Sequence, residues 1–271
     1  MSINFASDIF GTSRKNRPLV NSRTRLKDSI VSERFLTMNT LLHRLLILFA
    51  CFIALPIFAE TESSHPRPDP RRFATEIANF DKLDAERPVA SGGIVFTGSS
   101  SVRFWKVTEA FPDLPVLNRG FGGSVANDLI IYADQVVVRY KPRVLVVYTG
   151  GNDLHAKLTP GAAFDDYTKF LTMVHDKLPD TRVIVSSVKV APIRAEEIGK
   201  VKQLNSLLEA WIKEKSWIRW VEATNYLIGS DGQPMENLSR SDRLHLNDEG
   251  YAKWNAIIGP VIREEWAKAN K

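Results

Sequence analysis

The sequence predicts an α/β fold in three layers, with a five-stranded parallel sheet between two layers of helices. Three observations predict it. Apolar runs rich in Val and Ile recur along the chain, which is how strands buried on both faces read. Stretches with helical spacing alternate with those runs. Turn residues bound each run and the chain contains no internal repeat, so a single α/β domain of roughly 200 residues is expected.

The elements follow in order. Phe73, Ile77, Phe80 and Leu83 recur at helical spacing, so an amphipathic helix precedes the first strand. The strands are "GIVFTG" (93–98), "PVLN" (115–118), "RVLVVYTG" (143–150), "RVIVSSVKV" (182–190) and "IRWVEA" (218–223). Helices are expected around 124–139, 162–177 and 194–215. In a final helix Trp254, Ile257, Ile258, Val261 and Ile262 form an apolar stripe, with Pro260 bending or ending it.

The N-terminus has a different character. Residues 38–59, "MNTLLHRLLILFACFIALPIFA", place His43 and Arg44 before an apolar run that ends at the small residue Ala59. That is the pattern of an export signal peptide, and the run is shorter than the roughly 20 residues of a spanning helix. A periplasmic or secreted protein with no stable membrane span is therefore expected. Retention of the segment as an uncleaved anchor is the alternative. Residues 1–37 are polar and patternless, an extension that would be absent if translation began at Met38. Residues 60–71, including "HPRPDPRR", read as a linker, and 72–271 as the domain.

Removing residues 1–59 takes away eight basic and three acidic residues and leaves the remainder formally neutral, so the chain's overall +5 charge does not point to nucleic acid. The single cysteine, Cys51, leaves with the signal. Thiolate catalysis and cysteine-bound zinc are thereby excluded from the mature chain.

In a parallel sheet, ligands bind beyond the carboxyl ends of the strands. The polar residues expected there are Ser99 to Ser101, "NRGFGGS" (118–124), "GGND" (150–153) and "DRLH" (242–245). Together they can supply a hydroxyl, a base, a carboxylate to orient the base, and donors for an oxyanion. Of the five histidines, His43 lies in the signal, His65 in the linker and His175 on a predicted helix. His155 and His245 remain, and only His245 has an aspartate, Asp242, three residues ahead. Asp248 and Glu249 also stand near His245 but look like first-turn acids of the final helix.

These blocks resemble those of the SGNH hydrolases, also called GDSL-type esterases and lipases. Gly98-Ser99-Ser100 matches the first block with Ser99 in place of the usual aspartate, Gly123 the second, Gly150-Gly151-Asn152-Asp153 the third, and Asp242-Arg243-Leu244-His245 the last. The resemblance spans roughly residues 92–266 and lies nearest to secreted bacterial members with "GSSS". It implies a flavodoxin-like fold and carboxylic ester hydrolysis. It also implies Ser100 as nucleophile, His245 as base held by Asp242, and the Ser100 N–H, Gly123 N–H and Asn152 amide as oxyanion donors. No metal or cofactor is expected. The implied partner is a small-molecule, polysaccharide or lipid ester, the envelope location favouring short acyl or acetyl groups. Side chains at 120, 122 and 123 would obstruct the approach of a substrate oxygen. Trp105, Phe104 and Phe121 can line a pocket or belong to the core.

Three other readings stand beside this one. A lysophospholipase or lipase would take longer acyl chains. Asp153, His155, Asp242 and His245 can be read as ligands of a metal-dependent hydrolase. A carbohydrate-binding module on the same scaffold would need no catalytic set. By contrast, "SSVK" (186–189) does not make a Ser-x-x-Lys pair, because in a strand those positions face opposite ways. No Gly-x-Ser-x-Gly elbow or nucleotide-binding glycine loop is present.

Overall fold

The computed structural model describes residues 66–271; the extension, the signal, Cys51, His43 and His65 lie outside them. The described chain opens with a 3₁₀ turn, Pro70–Phe73, and then runs α1 (Ala74–Glu86), β1 (Ile94–Gly98), α2 (Ser100–Arg103), α3 (Val107–Ala110), β2 (Val116–Gly120), α4 (Ala126–Ile131) and α5 (Ala133–Val136). β3 (Val144–Tyr148), α6 (Gly151–His155), α7 (Pro160–Lys177), β4 (Arg182–Ser186), α8 (Ile198–Lys213), β5 (Ile218–Val221) and α9 (Asp248–Ala269) complete it. The five strands form one sheet in the order β2-β1-β3-β4-β5, parallel throughout.

Alternation along the strands divides the core between the two faces. Val95, Leu145, Val147, Val183 and Val185 pack on one side with Leu129, Tyr167, Phe170, Leu204 and Leu208 from α4, α7 and α8. Ile94, Phe96, Val144, Val146 and Ile184 face Trp105, Phe111, Trp254, Ile258 and Ile262 on the other, chiefly from α9. This is the predicted three-layer arrangement. Burial of each such side chain stabilises by roughly 1.5–3 kcal/mol.

Several boundaries differ from expectation, each for a local reason. The helix expected over 124–139 is three short pieces, with non-helical backbone at Tyr132 and Val137. The β-branched run Val136, Val137, Val138 disfavours a continuous helix. The fourth strand stops at Ser186 rather than 190, because beyond Ser187, whose N–H still donates to the Val221 carbonyl, the amide of Asn205 on α8 takes over the backbone groups of Val188. The Val188 N–H donates to Asn205 Oδ1 at 2.8 Å, and Asn205 Nδ2 donates to the Val188 carbonyl at 2.9 Å. Leu83 is exposed and outside the core. Pro260 does not end α9. Both it and Ala256, whose carbonyl loses an N–H partner, lie on the exposed side.

Within the segment expected as a linker, Arg67 pairs with Asp166 on α7, its Nη2 donating at 2.9 Å; at the start of the domain, Arg72 Nη1 donates to the buried Asp128 on α4 at 3.1 Å. Among the described residues no helix is long and apolar enough to cross a membrane.

Candidate active site

Parallel strands bring all their carboxyl ends to one edge, and the sequence blocks meet there. Ser100 follows β1, Gly123 follows β2, Asn152 follows β3, Lys189 follows β4, and the long connection after β5 carries Asp242 and His245. Of the three consecutive serines, Ser100 is the one whose hydroxyl meets a base, with Oγ 2.8 Å from His245 Nε2. Ser99 is buried beneath it, its N–H donating to the Tyr148 carbonyl at 3.1 Å.

The last block folds back on itself. Asp242 Oδ1 accepts the Leu244 and His245 backbone N–H groups, both at 2.9 Å, and Oδ2 lies 2.7 Å from His245 Nδ1. Arg243 adopts a left-handed backbone, φ 56°, to close this turn. Desolvation pushes the Asp242 carboxyl up, but the His245 and Leu244 donors outweigh it and hold the group well below the usual carboxylate range. An ionised carboxylate only accepts, so Nδ1 carries the imidazole proton and Nε2 is left free to accept from Ser100. Phe104 packs edge-on against the His245 ring, centroids 4.8 Å apart.

Asn152 is held from both ends of its amide. Nδ2 donates to the Ser124 carbonyl at 3.0 Å, and Oδ1 accepts from Arg194 Nη1 at 3.1 Å. Gly123 precedes Ser124 in an exposed turn with φ +83°, a conformation that disfavours any side chain. A Cβ there would meet open space, and at 120 and 122 it would meet Arg103 first. The local backbone at 123 and packing against Arg103 at 120 and 122 constrain these glycines. Gly123 lies outside the pocket wall formed by Ser100, Asn152, Lys189, Arg194 and His245. The pocket is small, a cavity of about 30 Å³.

Asp153 and His155 do not join Asp242 and His245. Asp153 is fully buried, with Oδ1 accepting the Ala126 N–H at 2.8 Å, and the exposed His155 places Nδ1 3.0 Å from Glu197. Among the described residues no three His, Cys, Asp or Glu side chains converge on a metal position. Trp105 and Phe121 are core; Phe104 alone of the three aromatics flanks the site.

Sequence reasoning missed Lys189 and Arg194. Lys189 Nζ donates to the Leu244 carbonyl at 2.5 Å, and the Ile193 N–H donates to that of Arg243 at 3.0 Å, so the chain after β4 braces the histidine loop. Reading 182–190 as strand throughout hid this lysine, although a lone Lys inside "SSVKVAPI" was its signal. Burial first, and then the Arg194 charge, push the Lys189 ammonium down to about 8.

A family model, the GDSL-like lipase/acylhydrolase family, matches residues 96–253, more than half of the chain. The chain belongs to this family. GDSL-like acylhydrolases are carboxylic ester hydrolases, and that is the reaction class of the chain. Among solved structures, a GDSL-like lipase from Bacteroides thetaiotaomicron VPI-5482 superposes with a TM-score of 0.59 at 22% identity, covering 72% of this chain and 98% of that one. A carbohydrate esterase family 3 from Talaromyces cellulolyticus gives 0.54 at 16% identity, covering 65% and 99%. A Clostridium thermocellum family 3 carbohydrate esterase gives 0.53 at 16%, covering 66% and 100%. These likenesses show the same GDSL-type fold. No protein of curated function matches the sequence.

Proposed function

We propose that this family member is an exported serine esterase of short-acyl or acetyl esters on carbohydrates or lipids, with Ser100, His245 and Asp242 as its catalytic triad. One observation carries the reading: the unbroken chain from Asp242 Oδ2 to His245 Nδ1 at 2.7 Å and from His245 Nε2 to Ser100 Oγ at 2.8 Å. In this reading His245 Nε2 takes the Ser100 proton as Oγ attacks the ester carbonyl. The Ser100 N–H, the Gly123 N–H and the Asn152 amide bind the oxyanion. His245 returns the proton to the leaving alcohol, freeing an acyl-Ser100 ester. Water, deprotonated by His245, then releases the acid and restores the hydroxyl.

The small pocket favours short acyl groups over the longer chains of a lysophospholipase. Two proteins of the same fold are named carbohydrate esterases, which favours sugar acetates. Residues 38–59 support export to the periplasm or beyond.

The test is hydrolysis of p-nitrophenyl acetate, butyrate and octanoate by wild type, Ser100→Ala and Ser99→Ala, with and without EDTA. The expected result is turnover favouring acetate, indifferent to EDTA, retained in Ser99→Ala and reduced by about 10³-fold or more in Ser100→Ala. Full activity in Ser100→Ala overturns the reading.

A further inference from the structure

The pocket beside Ser100 holds two cations that, among the described residues, no carboxylate neutralises at contact distance. Lys189 is buried, and the acceptor for its Nζ is the Leu244 carbonyl. Arg194 is half-buried, and its Nη1 donates to Asn152 Oδ1 and to the Gly151 carbonyl, at 3.1 and 3.3 Å. Among the described residues neither cation forms a salt bridge with an Asp or Glu within 4.0 Å.

The nearby acids act on the two cations only through space: Glu197 and Glu196 on Arg194, and Asp242 on Lys189, none of them in contact with either cation. Glu197, on the same wall, binds the His155 ring at 3.0 Å, and the Asp242 carboxylate already accepts three N–H donors. Like charges in a water-poor pocket repel and are costly to desolvate. Holding carbonyl and amide oxygens requires only neutral donors, so two charges there are in excess of that structural need. An anion entering the pocket would remove both penalties and gain charge-assisted hydrogen bonds.

We propose that this pocket selects esters whose alcohol portion carries an anionic group, a carboxylate or a phosphate, with Arg194 and Lys189 recognising it. The proposal rests on the serine esterase reading and names the substrate class of the same site.

The test compares 4-acetoxybenzoate and 4-acetoxyphenyl phosphate with the neutral methyl 4-acetoxybenzoate and phenyl acetate, each rate normalised to hydroxide-catalysed hydrolysis. The expected kcat/KM is about tenfold or more higher for the anionic esters, expressed in KM. The ratio should fall towards one as salt rises from about 50 to 500 mM, because screening weakens the attraction. Arg194→Gln and Lys189→Met should each lower it. The better of the two anions identifies carboxylate or phosphate as the preferred group.

Equal or poorer hydrolysis of both anionic esters, with the neutral ones turned over, overturns the proposal and leaves the esterase reading intact. A preference that survives salt and both substitutions overturns it as well. Should either variant fail to fold, the salt dependence of wild type decides. Absence of turnover on every ester overturns both readings together.

Discussion

Asp153 Oδ1 accepts the Ala126 N–H at 2.8 Å, so a residue of the Gly-Gly-Asn-Asp block holds the start of α4, just beyond the Gly122–Gly123 turn. The same block therefore presents Asn152 to the pocket and uses its neighbour to fix the opposite loop. Asp153 Oδ2 has no partner among the described residues.

That arrangement makes stability depend on pH. Burial pushes the Asp153 carboxyl up to about 7, with Asp166 and Asp128 adding to the rise, while the unfolded chain titrates near 3.8. Between these values the folded state binds more protons than the unfolded state, so this contribution is full below about 4 and is lost as pH rises through about 7. Asp153→Asn keeps the acceptor for Ala126 and cannot ionise. Urea denaturation should show the variant gaining on wild type by more than about 1 kcal/mol between pH 5 and pH 8.

Replacement of Asp242 by Asn should act through the imidazole tautomer. An amide N–H facing Nδ1 makes that nitrogen an acceptor and moves the ring proton to Nε2, where it blocks transfer from Ser100. Turnover of p-nitrophenyl acetate should fall by about 10³- to 10⁴-fold, with an unchanged circular dichroism spectrum.

Asn152→Ala removes the amide proposed as an oxyanion donor and leaves Arg194 Nη1 with the Gly151 carbonyl alone. Steady-state kinetics should show kcat lower by about 100- to 1,000-fold with a smaller change in KM, since the oxyanion forms only on the way to the transition state.

Trp254 is the anchor of the α9 face. It is fully buried, stacks on Trp105 at 4.9 Å and donates Nε1 to Ser186 Oγ at 3.2 Å. Trp254→Ala should destabilise by roughly 3–5 kcal/mol in urea unfolding, because the cavity left among Trp105, Tyr148 and Tyr251 cannot fully collapse.

Much of this fold was legible in residue patterns. Five Val- and Ile-rich runs with helical stretches between them gave strand number, parallel direction and three layers, because burial on both faces imposes that composition. Boundaries were less legible where a side chain substituted for backbone pairing. Nothing local in "SSVKV" shows that Asn205, on the next helix, ends the strand at Ser186.

The sequence by itself singled out His245 with Asp242 three residues ahead, a spacing at which the chain can fold back on itself, and its resemblance to the SGNH blocks added Ser100, Gly123 and Asn152. The Asp242 turn onto His245 is such a local device. Only the tertiary structure decided that Lys189 and Arg194 enter the pocket, that Trp105 and Phe121 leave it for the core, and that Asp153 and His155 stay away from His245. Those outcomes depend on which loops meet at the sheet edge, and contacts between residues distant in the chain leave no periodicity to read.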